Sequence, residues 1–311
     1  MLFSAMGSLG ERLDSKFITA YFFPAFAAVL GTFWILVAAT GGERFAERLE
    51  QLDSVQQAIA VVLLLLTTAM IAHLLRALAR PIAQLFAGRA FPTLIKNPAI
   101  QRQLRARARV PAGMVMVSRG ERLYPHDPAD TAPTAFGNVL ATAADYARLV
   151  YGMESYHWWP RLLPLLPVEF QEMLRSMEAP MRGMLNLSLV ALYLGGLATV
   201  ALGLAASQWQ TVIVSVVVGV LLANFFYRAA IVQATELARN IWVGFDLYRF
   251  EIMRQMNVEV PTDLQEERAL WQDLSQRLRN LEPLSATASS ADDTAEGVAN
   301  AEVRATAGGP G

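Results

Sequence analysis

The chain has 311 residues, of which 54% are apolar and only 17% are charged, and its mean hydropathy is +0.33. Soluble domains usually carry about a quarter charged residues, so this balance indicates a membrane protein. The absence of cysteine excludes disulfides and thiolate metal sites, and the net charge of −1 argues against nucleic acid as a partner.

Four stretches are long and apolar enough to cross a bilayer, which takes about 20 residues of α-helix. They cover residues 17–40, 55–75, 184–206 and 208–227, and none contains Asp, Glu, Lys or Arg. The first stretch is longer than the apolar core of a cleaved signal peptide, so we expect it to remain as a signal anchor. The predicted fold class is an all-α membrane protein whose four transmembrane helices form two hairpins.

The distribution of Lys and Arg predicts the orientation of these spans. Residues 79–183 contain thirteen of them and the part after the fourth span contains eight, whereas the loop at 41–54 has two against four acids. Because positive charge is retained on the cytoplasmic side, both termini and residues 79–183 are expected in the cytosol, with the spans in the inner (plasma) membrane. The predicted organisation is a cytosolic arm (1–16), a first transmembrane hairpin (17–78), a mostly helical cytosolic insertion (79–183), a second hairpin (184–228), a cytosolic helical extension (229–282) and a disordered tail (283–311).

Residues 96–122 of the insertion are strongly basic. Their cationic residues are Lys96, Arg102, Arg105, Arg107, Arg109, Arg119 and Arg122, and Glu121 is the one acid among them. Near an anionic leaflet each basic residue contributes about 1 kcal/mol, so the arginines at 102, 105, 107 and 109 are candidates for binding lipid headgroups or another anionic ligand. The alternative, which the sequence favours, is that these charges only set the topology. The run lacks interleaved aromatic residues for base stacking, which disfavours nucleic acid.

The rest of the insertion is only partly patterned. Residues 114–117 and 123–124 are compatible with a short β-hairpin, and residues 134–151 have the apolar periodicity of a helix. His126 and Asp127 resemble an acid–base pair, but the flanking Pro125 and Pro128 predict a solvated loop.

The segment "SYHWWPRLLPLLPVEF" (155–170) combines tryptophan with proline. Prolines at 160, 164 and 167 are expected to prevent a regular helix before residue 168, and Pro180 is expected to end the short helix at 168–177. Because indole rings favour the headgroup layer, we interpret Trp158 and Trp159 as an interfacial anchor, with Arg161 reaching lipid phosphate. The alternative is that the segment belongs to the core of the cytosolic domain, and the sequence does not separate the two.

Small residues recur every four positions in the third and fourth spans. One row is Ala191, Gly195, Thr199 and Gly203, and the other is Ser207, Thr211, Ser215, Gly219 and Ala223. Such rows permit close backbone approach between helices in lipid. They predict that the two spans pack against each other or against another subunit.

The apolar stripe of the fourth span continues without a proline until Pro261. This predicts one helix over 208–257, about 75 Å long at 1.5 Å per residue, with Gly244 as the expected bend. A second helix is expected to begin at a Thr262 cap, with Gln265 at its third position. Its apolar stripe consists of Leu264, Trp271, Leu274, Leu278 and Leu281.

The stretches "PTAFGNVLATAADYARLVYG", "WPRLLPLLP", "FDLYRFEIM" and "EERALW" together resemble a family of uncharacterised bacterial four-span integral membrane proteins, over about residues 130–275. The resemblance implies no activity, catalytic residue or cofactor. The layout of two spans, a cytosolic domain, two spans and a cytosolic helix is similar to that of flagellar stator and related proton-driven motor subunits, without their sequence motifs. Likeness of arrangement does not establish function.

No phosphate-binding glycine loop, nucleophile elbow, dinucleotide fingerprint or metal-ligand cluster is found in the sequence. We therefore predict no catalytic residue, no cofactor, no metal and no enzymatic activity. Asp246 and Arg249 are interpreted as an ordinary i, i+3 ion pair.

Two classes of function fit this pattern. The first is a non-enzymatic scaffold or partner-binding module, which uses its cytosolic helices to bind a protein partner or its own copies and contacts anionic lipid headgroups. The alternative is an oligomeric ion channel or membrane-perturbing effector whose third and fourth spans line a pore. The polar residues available to that pore are Ser188, Thr199, Ser215 and Asn224.

Overall fold

The computed structural model describes residues 14–40, 53–109, 124–206, 209–282 and 284. Within those ranges the chain is helical and has no strand. The helices are α1 (Ser15–Thr40, with a π-helical stretch at Ile18–Phe22), α2 (Ser54–Ala77), α3 (Ala79–Phe86), α4 (Thr93–Arg107), α5 (Ala135–Tyr151), α6 (Ser155–Leu162), α7 (Val168–Ala206), α8 (Trp209–Gln255) and α9 (Leu264–Asn280). The β-hairpin predicted at 114–117 and 123–124 lies outside the described residues except for Tyr124, as do most of the N-terminal arm, the 41–54 loop and the tail.

Four helices are long and apolar enough to cross a membrane: α1, α2, α7 and α8. At most 17% of the most apolar window of any of them is buried inside the protein. Large side chains such as Leu66 and Met70, which are 61% and 68% exposed, face outward instead. Because exposing this much apolar surface to water is unfavourable, the helices indicate a multi-pass membrane protein. The predicted number and position of the apolar helices are confirmed.

The chain divides into two compact units. Unit 1 comprises Met1–Thr142 and Glu172–Arg239, and unit 2 comprises Ala143–Gln171 and Asn240–Gly311. Unit 1 contains the apolar spans together with α3 and α4, whereas unit 2 contains α6 and α9. Helices α5, α7 and α8 cross the boundaries in sequence and contribute residues to both units.

A proline in α1 accounts for a buried polar contact within unit 1. Pro24 has no N–H, so the carbonyl of Ala20, four residues earlier, cannot receive a hydrogen bond from it. The side-chain amide of Asn186 on α7 donates to that carbonyl at 2.7 Å, and Asn186 is only 2% exposed. Asn186 thus satisfies a backbone acceptor within an apolar span, where water is not available to do so.

The expectation that Pro180 ends a helix is wrong, because α7 runs unbroken from Val168 to Ala206 with Pro180 inside it. A proline removes one intrahelical hydrogen bond and crowds the preceding turn, at a cost of about 3 kcal/mol. The next turn of α7 packs closely on α1. Arg182 donates to the Tyr21 hydroxyl at 2.8 Å, and a Cβ on Gly183 would lie 2.6 Å from the Thr19 carbonyl oxygen.

The expectation that three prolines prevent a helix before residue 168 is also wrong. Pro160 lies inside α6, and Pro164 lies in a 3₁₀ turn at Leu163–Leu165. The flanking Trp158 and Leu162 are both fully buried. Their burial stabilises α6 and offsets the cost of the backbone hydrogen bond that Pro160 cannot donate.

The other helical predictions are confirmed with small changes of boundary. The helix predicted at 134–151 is α5, and the long helix predicted at 208–257 is α8, which continues through Gly244. The last helix begins one residue later than predicted, because its cap is Asp263 and not Thr262. The Asp263 carboxylate accepts a hydrogen bond from the Gln265 N–H at 2.8 Å, and a carboxylate at this position also interacts favourably with the helix dipole.

Candidate functional site

A cavity of about 650 Å³ lies within unit 1, lined by α3, α4, the start of α5, and α7 and α8. One part of its wall is apolar and another part is polar. Leu189, Leu192 and Val220 form an apolar part, and Arg102 and Arg228 belong to the polar part, which also includes Gln103 and Asn224. The cavity is therefore amphipathic, with cationic and apolar surfaces in one space.

The polar part of the wall is assembled from two helices. On α8, Asn224, Tyr227 and Arg228 lie on one face because they are spaced i, i+3 and i+4. Arg102 comes from α4, and both it and Arg228 are exposed. Among the residues that the structure describes, neither guanidinium takes part in a hydrogen bond or an ion pair. Two cationic groups thus line the same cavity without a described counter-ion.

Another part of the wall is held by hydrogen bonds around the start of α5. The Thr134 hydroxyl donates to the Phe86 carbonyl at 2.8 Å, and the Phe136 N–H donates to the Tyr227 hydroxyl at 3.2 Å. The Tyr227 ring stacks on Phe86 with centroids 5.8 Å apart. A Cβ on Gly137 would lie 2.4 Å from the Ala87 carbonyl oxygen, so glycine is needed for this close approach. These contacts hold the start of α5 against the end of α3 and against α8.

The small-residue rows meet at a close crossing of α7 and α8. A Cβ on either Gly195 or Gly219 would lie 2.8 Å from the Cα of the other residue. The Cβ built on Gly195 would also lie 3.5 Å from the Ser215 carbonyl oxygen. The Cβ built on Gly219 would lie 3.3 Å from the Ala191 carbonyl oxygen. The structure therefore brings these four predicted residues together.

The remaining members of the rows have other surroundings. Ala223 is 5% exposed, and its carbonyl accepts a hydrogen bond from the Ser188 hydroxyl at 2.9 Å. A Cβ on Gly203 would lie 3.2 Å from a Val212 methyl group. The Thr199 hydroxyl donates within its own helix to the Gly195 carbonyl, and the Ser215 hydroxyl donates to the Thr211 carbonyl. Both hydroxyl protons are therefore already used within their own helices.

A groove of about 310 Å³ runs over the crossing and shares Leu192 and Val220 with the larger cavity. Its wall includes Gly196 and Val216, one on each helix. A Cβ built on Gly196 would meet no atom within 4 Å. Gly196 therefore borders open space, in contrast to its neighbour Gly195.

The predicted headgroup residues are dispersed. Arg102 lines the cavity, whereas Arg105 and Arg109 are exposed elsewhere on or after α4. Arg107 is half-buried and donates to the His126 carbonyl. Arg161 is exposed and donates to the His157 carbonyl at 2.7 Å within α6. Sequence reasoning missed Arg228, although it is the first charged residue after the fourth span and that position was the available signal.

The interpretation of Trp158 as an interfacial anchor is wrong, since its side chain is fully buried in the core of unit 2. Its indole N–H donates to the Ser275 hydroxyl at 2.7 Å, and its ring meets that of Trp271 edge-on at 4.8 Å. Trp159 is half-buried and packs on Phe245, with ring centroids 5.6 Å apart. For Trp158 the alternative interpretation, a place in the core, is the correct one. Helix α9 supplies both its apolar neighbour, Trp271, and its hydrogen-bond acceptor, Ser275.

A polar network in unit 2 replaces the expected pair of Asp246 and Arg249. The Asp246 carboxylate accepts hydrogen bonds from the hydroxyls of Tyr146 and Tyr151, at 2.9 and 2.8 Å. Arg249 pairs instead with the buried Glu267 at 2.6 Å and lies 4.1 Å from the centre of the Tyr151 ring. The predicted ion pair is therefore wrong, because each partner finds a better-placed group on another helix.

Burial and the hydrogen bond to Asp246 raise the pKa of Tyr151 to about 12 and raise that of Tyr146 further above its ordinary value. Both hydroxyls are thus neutral donors at physiological pH. Among the described residues, no group of three or more His, Asp and Glu could hold a metal ion.

The raised pKa values predict a change of stability at high pH. Between pH 10 and about 12 the unfolded chain loses the Tyr151 proton while the folded chain keeps it, so the stabilising contribution is complete below pH 10 and falls as the pH rises. We expect Asp246→Asn to lower this pKa only part of the way towards 10, because burial remains. Absorbance at 295 nm during alkaline titration measures it. Asp273→Asn, which affects an exposed pair with Arg277, is the control and should leave the titration unchanged.

Comparison with protein-family models, curated proteins and solved structures found no match. The resemblance to bacterial integral membrane proteins stays a prediction.

Proposed function

We propose that the chain is a non-enzymatic, membrane-anchored scaffold of the inner membrane, with unit 2 as its cytosolic partner-binding module. One observation carries the proposal: α8, an apolar helix long enough to span a membrane, also supplies core residues to unit 2. Phe245, Ile252 and Met253 on this helix are at most 2% exposed. The same helix thus contributes both an apolar span and part of the core of a separately packed unit.

The arrangement of the spans as two hairpins is part of the proposal. The close approach of Gly195 to Gly219, together with the hydrogen bond from Ser188 to the Ala223 carbonyl, supports an antiparallel pair of α7 and α8. Contacts between α1 and α2 support the first pair.

The proposed topology has both termini and the 79–183 segment in the cytosol. The natural absence of cysteine makes a direct test possible, since single cysteines can be placed at Ser54 and Ala129, which are both exposed. In intact cells, an impermeant maleimide should label Ser54→Cys, whereas Ala129→Cys should need permeabilised membranes. Labelling of both positions from the same side would contradict this topology.

A partner is expected on the exposed apolar face of α8 in unit 2. Val243 and Leu247 lie one turn apart and are 39% and 65% exposed. A photo-crosslinking amino acid at Leu247 should give an adduct of discrete mass in native membranes, and the mass distinguishes a second copy of the chain from another protein. The same probe at Gln255, an exposed polar position on α8, is the control.

A measurement of ion flux distinguishes the scaffold proposal from the channel alternative. The scaffold proposal expects no ion flux from purified protein in liposomes. Ion flux from the folded, purified protein, together with the lack of an adduct at Leu247, would replace the scaffold by the pore.

A further inference from the structure

We propose that the cavity of unit 1 and its adjoining groove bind one anionic phospholipid. Arg102 and Arg228 hold the phosphate, and one acyl chain runs past Leu192 and Val220 into the groove beside Gly196. The site is independent of the proposed scaffold role, and it assigns a ligand of defined chemistry to a part of the molecule that the scaffold role does not use.

The charge at the polar end fits a phosphate. A guanidinium presents paired N–H donors that match two phosphate oxygens. Arg102 and Arg228 come from different helices and line the same cavity, and neither has a hydrogen-bond or ion-pair partner among the residues that the structure describes. A single anion between them would supply the missing negative charge.

Neutral donors next to the arginines fit the rest of a headgroup. Asn224 is exposed and lines the cavity, and within the described ranges its side-chain amide makes no hydrogen bond. The Tyr227 oxygen accepts the Phe136 N–H, so its own proton is available for a glycerol or ester oxygen. Both lie on the α8 face that carries Arg228.

The apolar end fits an acyl chain. The cavity volume of about 650 Å³ falls within the range of ligand sites, about 300–1,000 Å³. A soluble phosphate would leave Leu189, Leu192 and Val220 uncovered. The groove of about 310 Å³ continues from Leu192 and Val220, and Gly196 leaves its floor open.

The position along α8 also favours a lipid over a soluble anion. Residues 208–227 carry no charge, and Arg228 is the first charged residue after them. An arginine at the end of an apolar span lies at the depth of lipid headgroups, where anionic lipids attract it. The phosphate and the acyl chain of one lipid therefore meet the polar and apolar parts of the same cavity.

The test is native mass spectrometry of the purified full chain, titrated with phosphatidylglycerol or with diacylglycerol, which has the acyl chains but no phosphate. One phosphatidylglycerol should bind at least about tenfold more tightly than diacylglycerol. Arg102→Gln and Arg228→Gln should each weaken phosphatidylglycerol about tenfold, the value of one charge-assisted hydrogen bond, and leave diacylglycerol unchanged. Arg105→Gln, an exposed arginine on α4 outside the cavity wall, is the matched control. An equal loss in the control, or no loss in the two variants, would overturn the site.

Two further arms separate the lipid from a soluble anion. Gly196→Leu fills the groove and should weaken both lipids, whereas Val217→Leu, exposed on α8 and outside both walls, should weaken neither. Millimolar glycerol phosphate should leave the bound phosphatidylglycerol in place. Full displacement by glycerol phosphate, or unchanged binding in Gly196→Leu, would overturn the acyl-chain assignment. Gel filtration and helical circular dichroism confirm that each variant is folded.

Discussion

Gly219→Leu should destabilise the protein by at least about 3 kcal/mol, towards the upper end of the cost of overpacking. The reason is geometric, since a Cβ at this position would lie 2.8 Å from the Cα of Gly195. The obstacle is backbone, and it cannot rotate away as a side chain can. Titration with SDS in mixed micelles, followed by circular dichroism, measures the free energy of unfolding.

Gly196→Leu is the control for this prediction. It adds the same side chain on the partner helix, one residue from Gly195, but its Cβ meets nothing within 4 Å. We expect a change in the free energy of unfolding below about 1 kcal/mol, as for other surface substitutions. Equal losses in the two variants would show that the crossing of α7 and α8 does not depend on close backbone approach.

Arg249→Met should destabilise unit 2 by about 3 kcal/mol or more. The substitution leaves the Glu267 carboxylate, whose side chain is 6% exposed, without the guanidinium that lies 2.6 Å from it. The Trp271 N–H, at 3.2 Å from the same carboxylate, does not neutralise its charge. Hydrogen exchange of the α9 amides, read as the free energy of opening, measures the loss.

Two variants control for charge and for the loss of packing. Arg254→Met removes an arginine from the same helix whose side chain is 71% exposed and pairs with Glu251, so the expected loss is below about 1 kcal/mol. The double variant Arg249→Met/Glu267→Gln should recover part of the stability, because glutamine carries no charge and can still accept the Trp271 N–H. If the double variant is less stable than Arg249→Met alone, an unpaired buried charge is not the cause of the loss.

The difference between Trp158 and the apolar spans shows where sequence reasoning succeeded. Twenty uncharged apolar residues in a row predict a span, because each apolar side chain favours the hydrocarbon core and twenty helical residues are long enough to cross it. An indole such as that of Trp158 is found both in headgroup layers and in cores that offer its N–H an acceptor. Its acceptor, Ser275, lies far away in sequence, and no local pattern points to it.

Proline was misjudged for a related reason. Pro160 and Pro180 each remove one backbone donor, and from sequence alone that loss predicts the end of a helix. Whether the helix ends depends on what packs around the proline. In α6 the neighbours Trp158 and Leu162 are buried, and on the next turn of α7 Arg182 donates a hydrogen bond to Tyr21 of α1.

The sequence by itself determined the four apolar helices, the small-residue rows and the unbroken length of α8, because solvent preference and helical periodicity act within one contiguous segment. Only the tertiary structure decided that Asn186 serves the Ala20 carbonyl, that Gly195 meets Gly219, and that Arg102 and Arg228 line one cavity. These pairings join segments far apart in the chain. Their geometry depends on how helices pack, and no residue carries a local mark of its distant partner.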